Sequence, residues 1–478
     1  MNARIFSAFA TTSALLLAGC AIGPDYHRPA VDAPAAFKEA GDWKPAEPTD
    51  LVARDKWLQS FNDPALNELE DRIEVSNNTL RIAEARLREA QAAATIAGAP
   101  LFPSLSADGS ANRTRTASRG SIPSSVGNTF AAGLSASWEF DLWGRVRRSA
   151  EAGRATAEAG AADLASARLS LQATLAQTYF SLRVADTEQR LYAQIVEQYA
   201  RFLKITQNRY AQGVDTRADV ASAETQLKTA QSQAIDIDLQ RSQLEHALAV
   251  LLGQTPAGFT LTQNDLKIQP PAVPGLIPSQ QLERRPDIAG AERRLAAACA
   301  EIGVAKSGYF PVISLSGTAG YQSQQYKQLF NAPNEIWSLG AGAVMPLFDA
   351  GKVRAQVRQA RAVYDESLAT YRQTVLTAFQ EVEDNLAANR FLAREAAVQT
   401  EALAAARQSA TITLNQYQAG TVSYLNVVTA LADQLNAEST SVQLLGRQLS
   451  ASVTLLKAAG GDWQTESKPT TMYPSEAP

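Results

Sequence analysis

The chain has 478 residues, with 44 Lys and Arg against 48 Asp and Glu, a net charge of −4, and only 2 Cys and 2 His. The two signs of charge are mixed along its length, so nothing resembles a basic nucleic-acid footprint, and two cysteines cannot build a disulfide framework or a Cys-rich zinc site. His27 and His246 leave little from which to assemble a triad or a His-rich metal centre. Length alone suggests about three compact domains, a division that internal repeats or long helices would overturn.

The N-terminus reads as a targeting segment. Arg4 supplies a positive start, Ile5 to Ala18 an apolar stretch too short for a comfortable membrane span, and Leu17-Ala18-Gly19-Cys20 resembles a bacterial lipoprotein signal. Residues 1–19 would then be a lipoprotein signal peptide and Cys20 the acylated first residue. An ordinary secretory signal with a chance cysteine is the other reading. Ala21, in place of Asp, argues by the same resemblance against retention in the inner membrane. Residues 20–62 would then form the N-terminal lipidated segment and equatorial entry.

A repeat follows. Phe102-Pro103 recurs as Phe310-Pro311 and Phe140-Asp141 as Phe348-Asp349 at an offset of 208; Tyr210 and Gly213 recur as Tyr417 and Gly420 at 207. The chain is a tandem duplication, residues 63–253 and 279–460, joined by a proline-rich linker at 254–278 and ending in a polar tail at 461–478.

In each half the spacing predicts the same series of elements. Short helices, Pro64 to Ala97 and Pro286 to Lys306, come first. Alternating segments follow, with hairpins at about 101–142 and 309–349, one face apolar and the other made of small polar residues. Strands of this length, with Trp, Tyr and Phe near their ends, fit a membrane barrel with a wet interior, although a half-buried soluble sheet has the same alternation. Arg145 to Gln212 and Lys352 to Ala419 contain no proline, and their only glycines are Gly153 and Gly160. An interior proline costs a helix about 3 kcal/mol and a glycine about 1, so helices are expected at about 145–212 and 352–419. At 1.5 Å per residue each would approach about 100 Å. In the first, a seam from Leu171 through Leu175, Leu182, Tyr199 and Thr206 to Tyr210 repeats every seven residues; Val382, Asn389, Ala396, Leu403, Ala410 and Tyr417 make a smaller one. Tube wall and coiled-coil scaffold both satisfy such seams. Gly213 and Gly420 end the long helices, and return helices are expected at about 214–252 and 421–459. Cys299, among alanines and without a basic partner, reads as a small buried thiol.

Four strands cannot close a barrel, and lipid does not tolerate open edges, so closure calls for several chains. The lipobox, Gly23-Pro24-Asp25-Tyr26 with Arg28-Pro29, Arg285-Pro286-Asp287-Ile288, the Phe-Asp and Gly-Arg/Lys junctions at 140–145 and 348–352, and the two Tyr-x-x-Gly turns together resemble the TolC-like outer membrane factor family. The likeness is to its OprM/NodT-like lipoprotein branch. It implies a mainly α, tandem-duplicated fold: a homotrimer with a 12-stranded membrane β-barrel and a long α-helical periplasmic barrel. It also implies an efflux channel rather than an enzyme, with no cofactor beyond the lipid on Cys20. Its partners would be outer membrane lipid, a periplasmic adaptor protein and an inner-membrane RND or other efflux pump. A type I protein secretion channel is the alternative. The loops Thr114 to Asn128 and Ser323 to Glu335 would face outside.

By the same resemblance the helix tips carry function. Gly213, Val214, Gly420, Thr421 and Val422 are the adaptor-contacting turns, and Asp215, Arg217, Asp219, Tyr424, Asn426 and Thr429 the periplasmic gate. Members of the family often carry acids where this chain has Asn426 and Thr429, so an acidic ring would have to come from Asp215 or Asp219. Plain helix capping by Asp215 and Thr216, with Asp219 on a solvated face, is the competing reading. No metal is expected.

Overall fold

A computed structural model describes residues 21–30, 37–40, 57–117, 124–271 and 285–461. The expected signal peptide, Cys20, much of the entry segment, part of the linker and nearly all of the C-terminal tail lie outside the described residues. The elements run α1 (Pro64–Ser76), α2 (Asn78–Gly98), β1 (Ser104–Thr116), β2 (Ser125–Phe140), α3 (Arg145–Ala211), α4 (Arg217–Leu251), α5 (Pro286–Ser307), β3 (Val312–Ser323), β4 (Glu335–Val344), α6 (Lys352–Gln418) and α7 (Tyr424–Ala458). The chain folds as two compact units. One draws on residues 1–31, 85–162 and 290–373, the other on 32–84, 163–289 and 374–478.

The first unit holds one antiparallel sheet in the order β1-β2-β3-β4. Residues directly opposite each other share a face, and the register keeps apolar with apolar. Leu105 lies opposite Ala136, which lies opposite Gly317; Ala107 opposite Leu134, then Ala319, then Trp337. The other face carries Ser106, Ser135, Thr318 and Ser338 in one row. Its hydroxyls bond across the strands, Ser106 to Ser135 at 2.8 Å and Thr318 to Ser338 at 2.7 Å. Large side chains of the apolar face, Leu105, Trp337 and Leu339, remain exposed. Among the described residues β1 and β4 each have one unpaired edge.

Each strand-to-helix junction is a cap. Asp141 accepts the amides of Val146 and Arg147 at 3.1 and 2.9 Å, and Asp349 accepts those of Gly351 and Val353, both at 2.8 Å. Gly144 and Gly351 take the left-handed backbone, φ +81° and +85°. In the same unit residues 21–28 run over α3 and α5. Arg148 pairs with Asp25 at 2.6 Å and Tyr26 donates to Glu292 at 2.6 Å. A side chain on Gly23 would meet the Gly303 backbone at 2.6 Å. Cys299 is buried, free and 3.8 Å from the Pro24 carbonyl; burial pushes its thiol above the usual range.

The second unit has its main core where Trp57, Leu58, Phe61, Leu66 and Ile73 meet Leu175, Tyr179, Phe180 and Leu182 of α3, Leu248 of α4 and Leu449 of α7. Within the seven-residue seam Leu175, Leu182, Tyr199 and Thr206 are buried, whereas Tyr210 is half exposed. The described part of the linker is strapped to α3 and α4. Arg241 donates to the Leu261 carbonyl at 2.8 Å and to Asp186 at 2.7 Å, and Arg183 donates to the Thr262 carbonyl at 2.7 Å.

Two expectations need correction. Residues 64–97 are not one helix: Asn77 is extended, its side chain accepts the Leu80 amide at 3.0 Å and donates to the Leu251 carbonyl at 2.7 Å, so the break at once starts α2 and caps the end of α4. The first connecting loop is also shorter than Thr114 to Asn128, because β1 and β2 stay paired out to Thr116 and Ser125, whereas the second runs from Ser323 to Glu335 as expected.

Candidate functional site

Both long helices end in the same way. After α3 the Gly213 amide donates to the Tyr210 carbonyl at 2.9 Å and the Val214 amide to that of Arg209 at 2.9 Å; after α6 Gly420 donates to Tyr417 and Thr421 to Gln416, both at 3.0 Å. These are Schellman motifs. Gly213 and Gly420 have φ +72° and +77° with open space around a would-be side chain, so backbone conformation alone demands glycine.

Beyond the glycines the turns diverge. In the first, Arg209 Nε donates to both oxygens of Asp215, at 3.1 and 3.0 Å. Thr216 and Asp219 then form a reciprocal capping box. The Thr216 amide and hydroxyl donate to Asp219 at 2.9 and 2.7 Å, and the Asp219 amide donates to the Thr216 hydroxyl at 3.2 Å. These bonds hold the Asp219 carboxyl below the usual range. Both carboxylates therefore have partners inside their own turn. Arg217 and Val214 are exposed.

Among the described residues the second turn has no ion pair of this kind. Ser423 stands at the N-cap without a side-chain capping hydrogen bond. Tyr424 is buried, its hydroxyl has no hydrogen-bond partner among the described residues, and burial first, then Tyr199 and Tyr417, pushes that phenol well above its ordinary range. Asn426 and Thr429 are exposed, Thr429 donating to the Leu425 carbonyl at 3.0 Å.

The two hairpins meet in one apolar cluster. Ile195, Tyr199 and Phe202 of α3 and Ala223 and Leu227 of α4 pack with Ala410 and Tyr417 of α6 and Tyr424, Val427 and Val428 of α7. The Arg209 guanidinium lies 5.0 Å from the centre of the Tyr417 ring and so joins the charged turn to the apolar one. Of the residues named from sequence, Asp215, Asp219 and Tyr424 thus enter one connected arrangement. Arg217, Asn426 and Thr429 stand at its surface. Arg209 was not among them; the available signal was a basic residue six positions before an acid across a turn. Among the described residues no group of His, Cys, Asp and Glu could hold a metal ion.

No helix of the described residues is long and apolar enough to cross a membrane, whereas the sheet offers a continuous apolar face. Strands with that face, leading directly into helices of 67 residues, define the subunit of a membrane β-barrel channel with a long helical extension. The sequence pattern of the outer membrane efflux proteins matches residues 69–254 and 277–461, one copy for each half. The chain is 31% identical over 462 residues to a probable efflux pump outer membrane protein, TtgC, of Pseudomonas putida, covering 94% of each chain. It is 30% identical to the pyoverdine export outer membrane protein OpmQ of Pseudomonas aeruginosa, over 95% of this chain and 96% of that one. The solved outer-membrane channel OprN superposes with a TM-score of 0.86 at 31% identity, over 93% of this chain and all of that one. The chain belongs to the outer membrane efflux protein family, with the TolC-like fold. It is the outer membrane channel component of an efflux system and extends into the periplasm.

Proposed function

We propose that three copies close a twelve-stranded barrel and form a passive conduit, not an enzyme, for small molecules handed over by a periplasmic adaptor and an inner-membrane pump. The observation that carries this reading is the four-stranded sheet whose two outer edges are unpaired among the described residues and whose one face is exposed and apolar. In lipid both edges must find partners, and neighbouring copies supply β1 for β4. Purified protein should migrate as a trimer that heating dissociates and should conduct ions in planar bilayers; a non-conducting monomer would refute the reading.

The lipid anchor on Cys20 belongs to the same proposal. Its neighbour Ala21 lies against Gly144, where an added side chain would be 2.9 Å away, which supports entry of the acyl chains beside the strand-to-helix junction. Mass analysis of the N-terminal peptide tests it. The turns around Gly213, Val214, Gly420, Thr421 and Val422 are the proposed adaptor contact, with Val214 and Leu425 as exposed apolar handles. The gate reading assigns Asp215, Arg217, Asp219, Tyr424, Asn426 and Thr429 to the closed tip. Asp219→Ala should raise single-channel conductance by loosening the turn that Thr216 and Asp219 hold.

A further inference from the structure

Every strand has an end remote from the helices, and there the apolar face changes character. Along β1 the residues that share a face are Leu105, Ala107, Gly109 and Ala111, and the same alternation continues to Arg113 and Arg115, which lie opposite Asn128 and Val126. Both arginines are exposed. They therefore extend the lipid-type face, while Asn112 and Thr114 take the other side.

The segment between β3 and β4 adds to this rim in an unexpected direction. It leaves β3 at Ser323 and must reach β4, whose outer edge is open, yet its two exposed rings lean back over the middle of the sheet. Tyr326 packs edge-on against Phe130 of β2 at 5.8 Å, and Phe330 against Tyr321 of β3 at 5.5 Å. Phe130 and Tyr321 belong to the apolar face. Leu329, between the two rings, is buried, whereas Tyr326 and Phe330 are 72% and 70% exposed. The segment thus folds outward onto the face that meets lipid, away from the edges where other copies pair. It also carries the exposed Lys327.

Charge on this rim is mainly positive. Neither connecting stretch, 117–124 or 324–334, contains Asp or Glu, so Glu335 is the single acid beside Arg113, Arg115 and Lys327 on the described rim. Aromatic rings at the depth of the headgroups with basic side chains just beyond them suit an amphiphile that has acyl chains and phosphate at the corresponding heights.

We propose that this rim is a docking surface for the phosphorylated glycolipid headgroups of the outer leaflet. Arg113, Arg115 and Lys327 engage the phosphates, and Tyr326 and Phe330 lie along the sugar and upper acyl region. The proposal rests on the apolar face being the membrane face, as in the channel reading above. Its occupant follows from continuity with that face and from the charge.

The test uses the full-length trimer in detergent and native mass spectrometry. Bisphosphorylated lipid A, its dephosphorylated form and phosphatidylglycerol are offered at equal ratios, and planar-bilayer conductance is measured in parallel. The parent should retain the bisphosphorylated form in preference to both others. Arg113→Gln, Arg115→Gln and Lys327→Gln should each weaken that preference roughly fivefold, the effect of one basic side chain near an anionic surface. Tyr326→Ser with Phe330→Ser should lower retention of all three lipids alike. Equal retention of phosphorylated and dephosphorylated lipid by the parent, which needs no variant to fold, would overturn the proposal. So would phosphatidylglycerol bound as well as lipid A, or paired trimers that disappear in the double aromatic variant. A trimer that conducts normally without lipid preference refutes this proposal alone; loss of both trimer and conductance in the parent refutes the channel reading beneath it.

Discussion

The two tip turns descend from one duplicated unit and share one backbone solution, yet they are held by different forces. The first turn is tied by charge and hydrogen bonds: Arg209 to Asp215, Thr216 to Asp219. The second relies on burial, with Tyr417 and Tyr424 sunk among apolar side chains. Charged bonds near a surface weaken with salt and acid; apolar burial responds to neither in that way. A duplicated fold can therefore keep the geometry of two turns while giving them different sensitivities.

The largest break in this comparison comes from removing the buried ring. Tyr424→Ala should destabilise the second turn by about 3–5 kcal/mol, the usual cost of deleting a core aromatic, read by hydrogen exchange of the Tyr424–Val428 amides. Tyr424→Phe separates ring from hydroxyl. Since that hydroxyl has no hydrogen-bond partner among the described residues, the phenylalanine variant should match or exceed the parent in stability. A loss as large as that of alanine would show that the hydroxyl has a partner.

Arg209→Ala comes next. It removes two charged hydrogen bonds to Asp215 and the contact over Tyr417, and about 1.5–3 kcal/mol is the expected cost. Arg209→Lys should recover only part of it, because an ammonium cannot reproduce the guanidinium plane over the ring. Because Arg209 joins the two turns, exchange should rise at both; protection lost only in the first would mean that the Tyr417 contact has no energetic role.

The glycines supply the control in which the turns should agree. Gly213→Ala and Gly420→Ala each force an L side chain into left-handed backbone, at roughly 1–2 kcal/mol, and nothing nearby adds a steric penalty. Unequal losses would show that the motifs are less alike than their hydrogen bonds imply.

Much of this was legible in the sequence. Segregated proline and glycine exposed the long helices, and period-two alternation exposed the strands, because both are local properties of backbone and side-chain direction. The turns were legible from Tyr-x-x-Gly for the same reason. The break at Asn77 was not: an asparagine inside a helical pattern is unremarkable until its amide finds the Leu251 carbonyl, 174 positions away. Arg209 was hidden likewise, since half of what it does is done against Tyr417 in the other repeat. The packing of Tyr326 and Phe330 also depends on rings contributed by β2 and β3. What escaped was long-range pairing, which no local period encodes.

The smallest effect discriminates most sharply between the turns. Thr216→Ala removes a capping side chain and should cost about 1 kcal/mol, whereas Ser423→Ala should cost less, because Ser423 makes no side-chain cap bond. Acid provides the same contrast without mutation. The Asp219 carboxyl is held below its unfolded value by Thr216, so the native turn binds its proton less readily than the unfolded chain. Its contribution is complete above the ordinary aspartate range, near pH 4. It declines as pH falls through that range toward the depressed native value. Exchange protection of the Thr216–Asp219 amides, corrected for intrinsic rates, should fall on acidification, while that of Ser423–Val427, where no carboxylate stands, should hold. Parallel loss in both turns would mean that acid acts on the tip through some group other than Asp219, and the division into a charged turn and an apolar one would fail.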